Sequence, residues 1–173
     1  MLEAAIFVVF PFCMAFAAIS DTLSMTIANR VSVLLVATFA VIAPLTGMDW
    51  GTYGMHFAAG GLLLAVTFTL FAVGGMGGGD AKMIAATAVW FGFGIELVQY
   101  LVFTAFIGGV LTVALLTFRK SALSVYSAGN PFLRHFGDAQ AGIPYGVALG
   151  IGGLVAYPAS PLMVWAIARV AGI

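Results

Sequence analysis

Charge is what this sequence has least of. Its six acidic and six basic residues make up 7% of 173, against roughly a quarter in an ordinary soluble domain. So thin a charge cover excludes a water-facing surface over most of the chain. The two signs cancel, so net charge by itself says nothing about nucleic-acid or acidic partners; nucleic acid is not expected as a partner of so apolar a chain. Cysteine is down to one, Cys13, inside an apolar run. That excludes an intrachain disulfide and a cysteine-built zinc site. Solenoid-length repeats, heptads and low-complexity tails are missing as well, and no shift in composition marks off a soluble domain. Residues 1–173 are expected to form a single integral membrane domain, without a metal or a cofactor.

What fills the chain is hydrophobic: 63% of residues, with a mean hydropathy of +1.16. A bilayer core about 30 Å thick takes roughly 20 helical residues, fewer where it thins. Candidate spans are Ala4 to Ile19, Val31 to Thr46 and Met55 to Val73. The stretch from Met83 to Phe118 holds one charge, Glu96, in 36 residues. As a single helix it would run about 54 Å, so it is expected to fold as two spans turning near Glu96 and Gln99. A sixth span begins at Ile143 and meets Pro158 and Pro161. Leu162 to Ile173 is too short to cross alone and is expected as a frayed end or an interfacial piece. "AFAAIS" loosely resembles a signal-cleavage site, and a cut there would leave Asp21 near a new N-terminus. No Lys or Arg precedes the apolar run, so the first span is expected to stay.

Backbone groups in lipid must bond within their own segment, so the expected fold is all-α: a polytopic bundle of about six helices. Loops one, three and five carry Arg30, Lys82, Arg119, Lys120 and Arg134. Loops two and four carry Asp49 and Glu96 and no Lys or Arg. The positive-inside rule places the odd loops in the cytoplasm and the N-terminus outside; Arg169 alone dissents. Asp21 and Asp80, 59 residues apart in sequence, then fall at the same cytoplasmic edge.

Ionisable groups at membrane depth are costly and usually report function or pairing. Two neighbouring carboxylates can hydrolyse a peptide: one, ionised, takes a proton from water, and the other, protonated, polarises the carbonyl. Like charges a few Å apart share one proton, and their apparent pKa values separate. Asp80 ends the run "GGMGGGD", where Gly77 and Gly79 would let a substrate strand approach the backbone closely. Asp80 equally suits the N-cap of the fourth helix, and Asp21 a helix end facing headgroups. Lys82 could favour ionisation of an aspartate or snorkel to headgroups. Asn29 could bond to Asp21 or substrate, or cap the second helix. Asp138 lies on the same side, in a long polar stretch that suits a solvated loop acid. His56 and His135 fall on opposite faces, which excludes a metal site built on the two. Trp50 and Tyr53 suit an interface belt.

"GGGDAK" at Gly77 to Lys82 matches GxGDxK and resembles the hallmark of the prepilin peptidase family of membrane aspartic proteases. "SDTLSMTIANR" is similar to that family's first catalytic element. Asp21, Ile27 and Asn29 keep its spacing, while Ala28 stands where Pro is usual and Leu23, Met25 and Thr26 occupy a stretch that carries arginines in many members. "IPYGVALGIGG", residues 143 to 153, resembles the family's small-residue final helix. The likeness covers about residues 16 to 155. It implies a catalytic pair, Asp21 and Asp80, with Gly77, Gly79, Lys82 and Asn29 in contact with substrate. It also implies a prepilin precursor as that substrate, a bacterial cytoplasmic membrane, and pilus assembly machinery as a further partner. Only about ten residues, Asp21 to Arg30, separate the first two spans, and they hold no cysteine. That resembles the short form serving Flp-type (tight-adherence) pili or a preflagellin-type peptidase, so N-methyltransferase activity is not expected. The rivals are a small transporter or channel subunit, and an assembly scaffold with a dead site. A transporter calls for mid-membrane charges and repeat symmetry, and neither is visible.

Overall fold

A computed structural model describes residues 1–121, 134–138 and 142–172, without the side chains of Arg134 and His135. Every regular element among them is helical, as expected of an all-α membrane protein.

The first helix, α1 (Leu2–Ser24), buries Ile6, Phe10, Met14, Ala17 and Asp21. These fall at steps of three and four, so the aspartate is in phase with the inward apolar stripe. The helix stops where Met25 turns left-handed (φ 53°) and its N–H caps the Asp21 carbonyl at 2.8 Å. Asp21 therefore lies inside the last turns of the helix.

The following elements are α2 (Asn29–Leu45), α3 (Trp50–Ala72), α4 (Gly78–Phe91) and α5 (Ile95–Lys120). After them come a single turn, α6 (Arg134–Gly137), α7 (Gly146–Ala156), a 3-10 turn (Tyr157–Ala159) and α8 (Pro161–Ala171). Asp49 caps α3 by accepting the Thr52 N–H at 3.0 Å.

Helix α4 runs through the centre, and every residue from Met83 to Phe91 is buried. Its alanines (Ala81, Ala85, Ala86 and Ala88) let α2 and α3 come close, as small residues do between membrane helices. Gly60 of α3 faces Val89, and any side chain there would overlap it. Polar groups are paired across the same contacts. The Trp90 indole donates to the Leu35 carbonyl at 3.0 Å, and His56 Nδ1 bonds the Val89 carbonyl at 2.8 Å. His56 is a satisfied core residue, stacked on Phe39.

Helix α7 wedges between α1 and α5 by means of its own glycines. Gly150 lies against the Met14 carbonyl, and Gly152 against Thr104. At the far end Tyr157 stacks on Phe10 and donates to the Ile6 carbonyl at 2.6 Å. The outward faces are apolar: Phe12, Phe68, Phe106 and Val113 are all exposed, which suits lipid and not water.

Among the described residues three helices, α1, α3 and α5, are long and apolar enough to cross a membrane; α7 and α8, bent by 49° at Ser160, make a fourth crossing if taken as one broken span. The 17 residues of α2 and the 14 of α4 fall short of that length. Two expectations need correcting. The chain turns between α4 and α5 at Gly92, whose φ of 63° few side chains tolerate, and Glu96 falls in the first turn of α5. Pro161–Ala171 is a regular helix that buries Leu162 and Ala166 and packs on α1, so it is not a frayed end. Ile173 lies outside the described residues.

Candidate active site

Asp21 and Asp80 lie at the same end of the bundle: Asp21 holds the amide of Gly146, and Tyr145, next in the chain, lines the same cleft as Asp80. Each is placed by a different device. Asp21 comes in on the buried stripe of α1 and is only 6% exposed. Its Oδ2 accepts the backbone N–H of Gly146 at 2.6 Å. That amide is one of the free donors of the first turn of α7, so an acid on α1 satisfies a helix end 125 residues away.

Asp80 sits in the first turn of α4, and its carboxylate folds back on the Gly77 backbone amide. Gly77 is the N-cap and Asp80 the third helical residue, the position from which a side chain can turn back to the start of its helix. Asp80 is therefore not the N-cap expected from the sequence: the helix begins two residues earlier, at Gly78, with Gly77 as its cap. Asp80 also opens on a cleft of about 310 Å³ lined by Gly75, Met76, Gly77, Ile143 and Tyr145.

The glycines next to Asp80 owe little to unusual backbone angles. In this run only Gly74 has a positive φ, 77°. Gly77 lacks a side chain because a Cβ would come 2.8 Å from Asp80 Oδ2. Gly79, inside the helix, packs on Ile27 of the α1–α2 loop, where a Cβ would meet Ile27 Cβ at 3.3 Å. Two of the glycines expected to stand in an open loop are thus contact points that hold the acids in register.

Lys82 and Asn29 meet each other, with Nζ donating to Asn29 Oδ1 at 3.0 Å. Asn29 is the first residue of α2, whose N-cap is Ala28, so it is not the cap. Both line a second, apolar groove of about 720 Å³ between α2, α3 and α4, together with Gly60, Gly61 and Val36. Two residues apart on a helix, Asp80 and Lys82 point to different sides and line different cavities. Asp138 is exposed just beyond α6. Asp49 and Glu96 lie at the opposite end, in the first turns or caps of α3 and α5. Among the described residues no three His, Cys, Asp or Glu side chains gather as a metal site would need.

Sequence reasoning passed over Gly146 and Tyr145, although a signal was present. Gly146, Gly150 and Gly153 recur at steps of four and three, the spacing of one helix face. That face lies on Asp21, Ala18 and Met14 of α1.

A bundle of apolar helices with lipid-suited outward faces, carrying two aspartates at one end and a cleft beside one of them, has the fold of a multi-pass membrane protein. The chain belongs to the type IV leader peptidase family, whose model matches residues 8–117. The match runs from α1 into α5, contains both aspartates, and ends before Tyr145 and Gly146. No curated protein matches the chain, and neither does any solved structure.

Proposed function

We propose that this protein is a membrane aspartic endopeptidase that removes the leader from a Flp-type prepilin at the cytoplasmic membrane face. The observation that carries the proposal is the placement of Asp21, on the Gly146 amide, and Asp80, on the adjoining cleft, at one end of the bundle, in a chain of the type IV leader peptidase family.

The chemistry follows from one proton shared by two carboxyls. The ionised acid takes a proton from water as the water oxygen bonds to the scissile carbonyl carbon. The protonated acid donates to the carbonyl oxygen, which takes up the displaced electron pair. On collapse one hydroxyl of the intermediate returns its proton to the carboxylate that had donated one. The carbonyl double bond re-forms as the carbon–nitrogen bond breaks, and the leaving amine takes the proton that the other acid had removed from water. Asp80, which opens on the cleft, faces the substrate, and Asp21 acts from beneath Gly146. Gly77, on the cleft wall, admits the peptide; Gly79, Asn29 and Lys82 hold α4 against the α1–α2 connection. Neither a metal nor a cofactor takes part.

Six crossings, with the N-terminus outside, put the acid pair on the side of Arg30, Lys82, Arg119 and Lys120. The three long helices fit this topology; α2 and α4, at 17 and 14 residues, would cross where the membrane thins. The α1–α2 connection, Met25 to Ala28, has no room for a methyltransferase region. The test is co-expression with a prepilin in bacterial membranes. The wild-type chain should convert the precursor to its shorter form, and Asp21→Asn and Asp80→Asn should not. Conversion by either variant at the wild-type rate would remove the proposal.

A further inference from the structure

Tyr145 touches both halves of the site. Its backbone leads directly into Gly146, whose amide holds Asp21, and its side chain lines the cleft on which Asp80 opens. The phenol lies within electrostatic reach of the Asp80 carboxyl. The ring is seated on α5 at its outer end: a side chain at Gly108 would overlap Cε2, Cζ and the hydroxyl oxygen.

The hydroxyl, by contrast, is weakly used. It reaches the Thr104 carbonyl oxygen at 3.5 Å, beyond the usual range of about 2.5–3.0 Å for such a bond. The wall behind it offers no better acceptor that stands engaged. The Tyr100 hydroxyl and Thr104 Oγ1 are buried there with no hydrogen-bond partner among the described residues. A half-buried donor, fixed in direction and nearly free of ground-state partners, is suited to an oxygen that gains charge only during reaction.

We propose that Tyr145 is a third catalytic residue, whose phenol donates a hydrogen bond to the scissile carbonyl oxygen as the tetrahedral intermediate forms. This rests on the leader-peptidase function proposed above. As water adds to the carbon, one carboxyl takes its proton and the other shares its own with the carbonyl oxygen. The phenol keeps its proton throughout and contributes only the hydrogen bond. When the carbon–nitrogen bond breaks, the carbonyl double bond re-forms, the oxygen loses its charge, and the phenol returns to Thr104.

The experiment uses the full-length protein, reconstituted in lipid with a prepilin precursor, and compares wild type, Tyr145→Phe and a chain with 3-fluorotyrosine at position 145. Removing the hydroxyl should lower kcat by about 10²-fold, with KM and Tm nearly unchanged, since the ring and its packing on Gly108 remain. The fluorinated phenol, a stronger donor in the same place, should cleave at the wild-type rate or faster and so separates donation from bulk. A Tyr145→Phe chain within about 3-fold of wild-type kcat overturns the proposal. So does a loss that appears in KM or follows Tm, or one shared by the fluorinated chain. Asp80→Asn in the same assay keeps the two claims apart: if wild type cleaves, Asp80→Asn does not and Tyr145→Phe does, only the role of Tyr145 fails. A wild-type chain that leaves the precursor intact overturns both.

Discussion

Replacing Gly146 by alanine should inactivate the site while the bundle survives. A Cβ at this position falls 2.7 Å from Asp21 Cβ, 3.0 Å from its Cγ and 2.9 Å from Oδ2. Comfortable carbon–carbon contact begins at about 3.5 Å, so Asp21 must retreat by roughly 1 Å. The 2.6 Å bond from the Gly146 amide would then stretch past the limit of a hydrogen bond. Misplacing a reacting group by about 1 Å costs on the order of 10²-fold in rate. The stability cost is that of overpacking, about 1–3 kcal/mol, which at about 2–4 °C per kcal/mol for a chain of this size is a fall of several degrees in Tm.

Gly150→Ala is the control. Its Cβ would meet the Met14 carbonyl oxygen at 2.8 Å and Ala18 Cβ at 3.0 Å, so it crowds the same helix pair one turn away from the carboxyl. Precursor cleavage by purified protein, read on gels beside a melting curve in detergent, should show both variants losing Tm and only Gly146→Ala losing most of its rate. Equal activity loss in the two, or cleavage by Gly146→Ala within about 3-fold of wild type, would refute the reasoning.

Asp21→Asn and Asp80→Asn should each lower cleavage by at least about 10²-fold, because neither carboxyl can make both proton transfers alone, whereas exposed Asp138→Asn should stay active in the same gel assay. In a Cys13→Ala background, cysteines at Arg30 and Lys120 should label from the cytoplasm and one at Asp49 from outside; a cytoplasmic Asp49 would turn the acid pair to the wrong face. Gly74→Ala and Gly77→Ala should separate backbone strain from site crowding. At Gly74 (φ 77°, with nothing within 4 Å of a Cβ) the change costs about 1–2 kcal/mol of stability and little rate. At Gly77 the Cβ, 2.8 Å from Asp80 Oδ2, costs rate first. Matching losses of rate and Tm in both variants would leave the run as an ordinary linker.

Much of the fold was legible before any coordinates, because hydropathy and the placement of charge belong to short stretches of chain. Long apolar runs made the helices, and five of the six basic residues, sorted by loop, put Asp21 and Asp80 at one end. Asp21 even falls in phase with Ile6, Phe10, Met14 and Ala17. The local rules failed where an element is short or where a partner comes from far along the chain. At 14 residues, α4 is too short to announce its central place; it is central because its alanines admit α2 and α3 together. The pairing of Lys82 with Asn29, and its separation from Asp80, depends on which way α4 is rotated in the bundle. The amide that holds Asp21 comes from Gly146, 125 residues on. Its position is set by three glycines of α7 closing on α1, a fit between two surfaces that neither stretch encodes alone.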